Sequence, residues 1–168
     1  MTKEIPLTKG GVALVDDEDY ERANQYKWRA QKIKRHWYAF SWVNTPLGRE
    51  KTTLHRFLLN AKRGEYCDHI NMDGLDNRRC NLRIVTNVQN TWNAKKRSKS
   101  KSKYKGLAWD KRLNQWQVGI KVDGKRIFFG RFSDEEDAAH AYDEAARKYR
   151  GEYARLNFPM DWEESAID

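Results

Sequence analysis

Residues 66–93 read YCDHINMDGLDNRRCNLRIVTNVQNTWN, and this stretch decides how the first half of the chain folds. Asp68-His69 sits in a short β-prone run, and Asp73-Gly74 marks a turn. Asn81-Leu82-Arg83 follows the turn, ahead of a helix start. Thr86-Asn87-Val88-Gln89 has the form of a capping box, Thr at the N-cap and Gln three residues later. The helix it opens is predicted to run to about Lys96, with Val88 and Trp92 four apart on its buried face. A strand carboxylate and a helix amide, Asp68 and Asn90, bring oxygen donors together of the kind a hard divalent cation takes. An imidazole beside them, His69, is suited to removing a proton from water.

Outward from this stretch, the N-terminal 60 residues read as strands and turns with one short helix. Val12–Val15 is an apolar run after Gly10-Gly11, and Trp37–Val43 is aromatic and β-prone. Asp16–Tyr26 carries Tyr20, Ala23 and Tyr26 at helical spacing. On the other side, residues 94–103, AKKRSKSKSK, hold six basic side chains and no acidic one. A run of this composition repels itself and is expected to be a flexible linker. It separates an N-terminal domain, 1–93, from a C-terminal one, 104–159, with an acidic tail at 160–168.

In the C-terminal part, Gly106–Trp109, Gln115–Val122 and Arg126–Phe132 read as three strands, the last two joined by the turn signal Asp123-Gly124. Ser133–Glu136 has the form of a second capping box, opening a helix to about Tyr149 that Gly151 stops. Ala138, Tyr142, Ala145 and Tyr149 form its core stripe, with Ala139 and Ala146 beside it. Alternation places Gln117, Gly119 and Lys121 on one face of the middle strand and Val118, Ile120 and Val122 on the other.

The 168 residues carry 33 Lys and Arg against 24 Asp and Glu, net charge +9. Residues 94–132 are strongly basic and 133–168 acidic, so the excess is local, the footprint expected of a partner for nucleic acid. No window approaches the length of a membrane span, and the first residues lack the apolar core of a secretory signal. With only Cys67 and Cys80, a disulfide framework or a four-Cys zinc site is not expected. These features lead us to expect a cytoplasmic protein without membrane partner or small-molecule cofactor.

Residues 54–90 resemble the HNH nucleases of the phage and intron-homing branch, which carry the ββα-metal motif. The resemblance rests on Leu54-His55-Arg56, Asp68-His69-Ile70-Asn71, Leu75–Arg79, Asn81-Leu82-Arg83 and Gln89-Asn90. It extends to a leader from Ile5 through Asp19. It implies that Asp68 and Asn90 hold the metal and that His69 is the general base. Asn81 would orient His69 by a hydrogen bond. His55 either faces the phosphate or ties the leading strand to the motif, and Arg56 and Arg83 would contact DNA. The implied metal is Mg2+, with Mn2+ as a substitute, and no structural zinc.

Residues 104–159 resemble the AP2 DNA-binding domain. The resemblance rests on Tyr104-Lys105-Gly106, Trp109, Trp116, Phe129–Phe132, Ala138-Ala139, Ala141–Asp143, Gly151 and Leu156–Pro159. It implies a three-stranded antiparallel sheet packed on one helix, with duplex DNA on the sheet's outer face. Lys105, Gln117, Lys121, Arg126 and Phe128 would touch DNA there, with Trp109 near the sugar-phosphate backbone. Together the two resemblances imply an α+β protein in which a metal-dependent homing-type endonuclease is targeted by an AP2-like module, acting as a monomer or a DNA-induced dimer. The alternative is a non-catalytic DNA-binding regulator on a degenerate HNH scaffold.

Overall fold

A computed structural model describes residues 1–8, 10–46, 48–96, 100–122 and 124–159. The expected turn residue Asp123, residues 97–99 of the basic run and the acidic tail from residue 160 lie outside the described residues. The chain forms two compact units, Met1–Asn90 and Thr91–Asp168. No helix of the described residues is long and apolar enough to cross a membrane.

The first unit starts with an antiparallel pair, β1 (Thr2–Pro6) and β2 (Val12–Asp16), followed by α1 (Asp17–Asn24). Alternation in β2 buries Ala13 and Val15, which join Ile5, Trp28, Leu54 and Leu58 in one core. Trp28 is fully buried, and its indole N–H donates to the Ala23 carbonyl at 2.8 Å, so burial leaves no polar atom unpaired. A meander of β3 (Arg29–Ile33), β4 (His36–Thr45) and β5 (Gly48–Thr53) follows, with β4 central. Its inner face carries Ala39, Ser41 and Val43, all buried.

Directly after β5 comes α2 (Leu54–Leu58), a second helix where the sequence suggested only one in this region. At five residues it is too short to show helical periodicity: Leu54 and Leu58 are buried in the core, and Phe57 packs against it. Then come β6 (Tyr66–His69), β7 (Leu82–Val85), antiparallel to it, and α3 (Asn87–Asn93). The capping box forms: Thr86 N donates to Gln89 Oε1 at 2.8 Å and Gln89 N to Thr86 Oγ1 at 3.2 Å. α3 ends three residues earlier than expected. Val88 is 58% exposed rather than on a buried face, and the buried residue of α3 is Asn93.

The second unit is a three-stranded antiparallel sheet, β8 (Leu107–Asp110), β9 (Gln115–Val122) and β10 (Lys125–Phe132), on one long helix, α4 (Glu135–Arg150). Val118 and Ile120 pack on Ala138, Ala139, Tyr142, Ala145 and Ala146. The alanines let helix and sheet approach closely. The N-cap is Asp134, not Ser133: its carboxylate accepts from Glu136 N and Asp137 N at 2.7 and 3.0 Å. A Cβ on Gly106 would lie 1.9 Å from the Tyr142 ring, so only glycine fits there.

The fully buried Asp143 carboxylate accepts from the Asn157 and Phe158 backbone N–H groups at 2.8–2.9 Å, tying the segment after α4 to the helix. The end of the basic run is part of this unit rather than a free linker. Ser102 is 1% exposed and accepts from Tyr104 N, and Lys103 N donates to Glu135. A small hydroxyl with a local partner satisfies the interior without apolar surface.

Candidate functional site: the Asp68-His69 centre and the basic sheet face

β6 ends in Asp68-His69, and its antiparallel register sets Asp68 opposite Arg83 and His69 opposite Leu82. Arg83 Nε and Nη2 both donate to Asp68 Oδ2, at 3.1 and 2.8 Å, in a nearly buried pair. Arg83 therefore faces a carboxylate, not solvent, and serves Asp68 before any phosphate.

His69 is buried, and its Nε2 lies 3.2 Å from Oδ1 of Asn77, itself fully buried. Asn77 Nδ2 donates to the Leu75 carbonyl at 3.0 Å, which fixes the amide so that its oxygen faces the imidazole. An oxygen acceptor there makes Nε2 the protonated nitrogen and Nδ1 the basic one. Burial is the main influence on the His69 pKa and lowers it, opposed by the Asn77 hydrogen bond and then by the nearby Asp68. The centre thus holds a neutral imidazole of defined tautomer next to a buried carboxylate.

Two further rings close this corner. His55 packs edge-on against His69 with centroids 4.7 Å apart, and Tyr38 of β4 lies 5.9 Å from His69 and 5.7 Å from His55. His55 Nε2 pairs with Thr53 Oγ1 at 3.1 Å, and burial, then neighbouring His69, pushes its pKa down to about 3. A neutral ring held from β5's end and set edge-on against His69 fits the reading in which His55 ties the leading strand to the motif.

Asn81 does not hydrogen-bond His69. Its Nδ2 donates to Asn71 Oδ1 and the Asp76 carbonyl, and its Oδ1 accepts from Asn71 N. It pins the loop between β6 and β7, and Asn77 takes the orienting position instead. Gly74 sits in that loop with a virtual Cβ 2.2 Å from the Trp37 carbonyl and 2.6 Å from the Tyr38 ring, so glycine is required for the loop to lie against β4. Arg79 forks onto the buried Asp19 carboxylate at 2.6 and 2.8 Å, and Leu14 exchanges backbone hydrogen bonds with Leu75 and Asn77. The leader is thereby part of the centre's frame.

Arg56 is also structural. Its guanidinium donates to the carbonyls of Ala61, Lys62 and Glu65, saturating a turn. Asn90, on α3, is half-buried, and its side chain makes no hydrogen bond among the described residues. Among the described residues no group of three or more His, Cys, Asp and Glu is placed to hold a metal. Asp68 and Asn90 carry the oxygen type that a hard cation takes, and Asp68 Oδ2 is engaged by Arg83.

In the second unit, Gln117 pairs with Arg131, Gly119 with Phe128 and Lys121 with Arg126 across β9 and β10. These side chains share the face away from α4. Phe128 is 51% exposed, Arg131 lies 5.0 Å over its ring, and Arg126 lies across Gly119. The register shifts between Phe128 and Gly130, and this bulge brings Arg131 onto the face. Simple alternation missed Arg131, although Gly130 inside a strand is the signal for a bulge.

Two expected contacts lie elsewhere. Lys105 Nζ donates to the carbonyls of Trp92 and Ala94, and burial lowers its pKa to about 8. Trp109 lies opposite Trp116, centroids 4.8 Å apart, on the parity of buried Leu107 and Val118. Both belong to the scaffold of this unit rather than to its outer face.

No family model matches the chain. AP2-like ethylene-responsive transcription factor TOE2 of Arabidopsis thaliana is 44% identical over 69 residues, 40% of this chain and 14% of that protein. APETALA2-like protein 2 of Oryza sativa is 41% identical over 69 residues, 40% of this chain and 16% of that protein. The chain thus spans a small part of these plant relatives, and the similarity supports an AP2/ERF domain. Protein 3.8 of Escherichia phage T7 is 32% identical over 94 residues, 56% of this chain and 77% of that protein. At that identity and coverage, the chain belongs to the family of phage T7 protein 3.8.

Proposed function

We propose that this protein is a metal-dependent DNA endonuclease of the HNH type whose AP2-like unit holds it on duplex DNA. The observation that carries the reading is the buried His69 imidazole, its Nε2 fixed by the locked Asn77 amide, beside the buried Asp68 carboxylate. This is the arrangement a general base needs: a neutral ring, one nitrogen committed as donor, the other basic. His69 Nδ1 takes a proton from the attacking water, Asn77 holds the ring in place, and Asp68 with Asn90 offers the oxygens that hold a divalent cation. Such an ion supplies charge stabilisation at the phosphate and the leaving oxygen. The outer sheet face of the second unit, with Lys121, Arg126, Phe128 and Arg131, supports DNA binding by a surface of the size and charge that enters a major groove. The plant relatives named as transcription factors support the same assignment.

The test is incubation of the full chain with supercoiled plasmid and Mg2+ or Mn2+, an EDTA control, and His69→Ala. Metal-dependent nicking lost in His69→Ala at unchanged DNA affinity is expected. A wild type that binds DNA and never cuts, with either metal, would leave the non-catalytic regulator in its place.

A further inference from the structure

The outer face of the β3–β4–β5 sheet takes no part in the centre's hydrogen bonding, yet it is built like a binding surface. The register puts Arg29 beside Phe40, Gln31 beside Tyr38, Trp42 beside Lys51 and Asn44 beside Arg49, all on the face opposite buried Ala39, Ser41 and Val43. Trp42 is 52% exposed, a large ring open to solvent on the Lys51 and Arg49 side of the sheet. Lys51 Nζ lies 4.9 Å from the centroid of Phe40, and Arg49 lies 5.9 Å from that of Trp42. Lys27, Arg29, Phe40, Trp42, Arg49 and Lys51 line a concavity of about 340 Å3, and no acidic residue lines it. The acidic side chain of β5, Glu50, pairs with Val43 and so belongs to the opposite face.

We propose that this face is a second DNA-contact surface, gripping the phosphates of the duplex that flanks the point of cleavage. First, the charge is of one sign, complementary to a polyanion. Second, the aromatic rings act as pedestals that hold the cations in place, so less side-chain freedom is lost when phosphate arrives. Third, the face is continuous with the centre: β4 carries Trp42, Phe40 and Tyr38 at two-residue steps, and the Tyr38 ring lies 5.9 Å from that of His69.

At roughly 3.4 Å per strand residue, Trp42 stands about 14 Å along β4 from Tyr38. At about 3.4 Å per nucleotide, that places its contact about four nucleotides from the reacting phosphate. Three strands about 4.8 Å apart make a face about 10 Å across, within the width of a major groove. The inference rests on the nuclease reading only for where on the DNA this face lands. That the face binds phosphate does not depend on cutting.

The experiment is a salt titration of the full chain on a short duplex in EDTA, with Arg49→Gln/Lys51→Gln and, from the other face, Lys32→Gln. Two lost phosphate contacts make the slope of log K against log salt shallower by about 1.8. A fourfold rise in salt then costs the double variant about tenfold less affinity than it costs wild type. Lys32→Gln keeps the wild-type slope. Trp42→Ala shortens the hydroxyl-radical footprint at one end. An unchanged slope in the double variant overturns the proposal and leaves an acidic protein as the partner to seek. An equal loss in Lys32→Gln overturns it as well, since the effect is then one of general charge. A flattened slope in a protein that never nicks plasmid sinks the nuclease reading and leaves this surface standing.

Discussion

Asn77→Ala separates the orienting group the structure shows from the one the family resemblance implies. Asn77 is fully buried, donates to the Leu75 carbonyl at 3.0 Å and meets His69 Nε2 at 3.2 Å. Truncation removes two hydrogen bonds at about 1 kcal/mol each and leaves a buried carbonyl and a ring N–H with diminished partners. The expected destabilisation is about 2–4 kcal/mol, within the 5–15 kcal/mol of an ordinary domain, so the protein stays folded. Without its acceptor the imidazole samples both tautomers and a wider range of orientations. Loss of such an orienting partner typically costs about 10–100-fold in activity. The assay pairs urea unfolding, followed by tryptophan fluorescence, with plasmid nicking at saturating metal. Asn77→Asp supplies a readout that a merely structural role would not move. A carboxylate against Nε2 raises the His69 pKa, and the acid limb of the rate profile moves to higher pH. If Asn77→Ala nicks like wild type while Asn81→Ala abolishes nicking without loss of stability, the orienting residue is Asn81 and the argument from this loop is wrong.

Asp68→Ala and Asn90→Ala are expected to raise the metal concentration needed for nicking, Asp68→Ala more because it removes a full charge; overlaid metal titrations would dismiss both as ligands. Arg131→Ala, like Arg126→Ala, is expected to cost about 1–3 kcal/mol of binding at preferred duplex sites and little at random ones, measured by competition binding. His55 gives the stability a pH dependence. Its folded pKa of about 3 lies below the ordinary 6.5, so between these values the unfolded chain binds a proton that the folded one does not. Stability therefore falls as pH drops from 6.5 toward 3, by at most about 1.4 kcal/mol per pH unit for this group. Urea midpoints across that range should show the decline, and His55→Gln should flatten it.

Much of this architecture was legible because local chemistry and fold agree. Gln115–Val122 alternates cleanly since one face meets α4 and the other water, and Thr86 with Gln89 closes a cap from within four residues. What the sequence hid depends on contacts between distant groups. Asn77 and Asn81 follow the same turn four residues apart, and only the path of the loop against β4 decides which amide meets His69. Lys105 reads as a surface cation, yet the carbonyls of Trp92 and Ala94 draw it inward. Ser133 and Asp134 are both good caps, and the chain uses the one whose carboxylate reaches two N–H groups. Arg131 was hidden by counting alternation through a bulge.

The clasp between leader and loop also imposes an order of events during synthesis. Arg79 finds Asp19 across 60 residues of chain and Asp16 across 63. At about 5–20 residues per second, the leader emerges some 3–12 seconds before the loop that completes it. During that interval Leu14 of β2 has no Leu75 or Asn77 to bond, and Asp19 has no Arg79. A nascent chain, or a product ended before Arg79, therefore lacks the assembled Asp68-His69 centre: the leader and the loop that frame it close on one another only after both have left the ribosome.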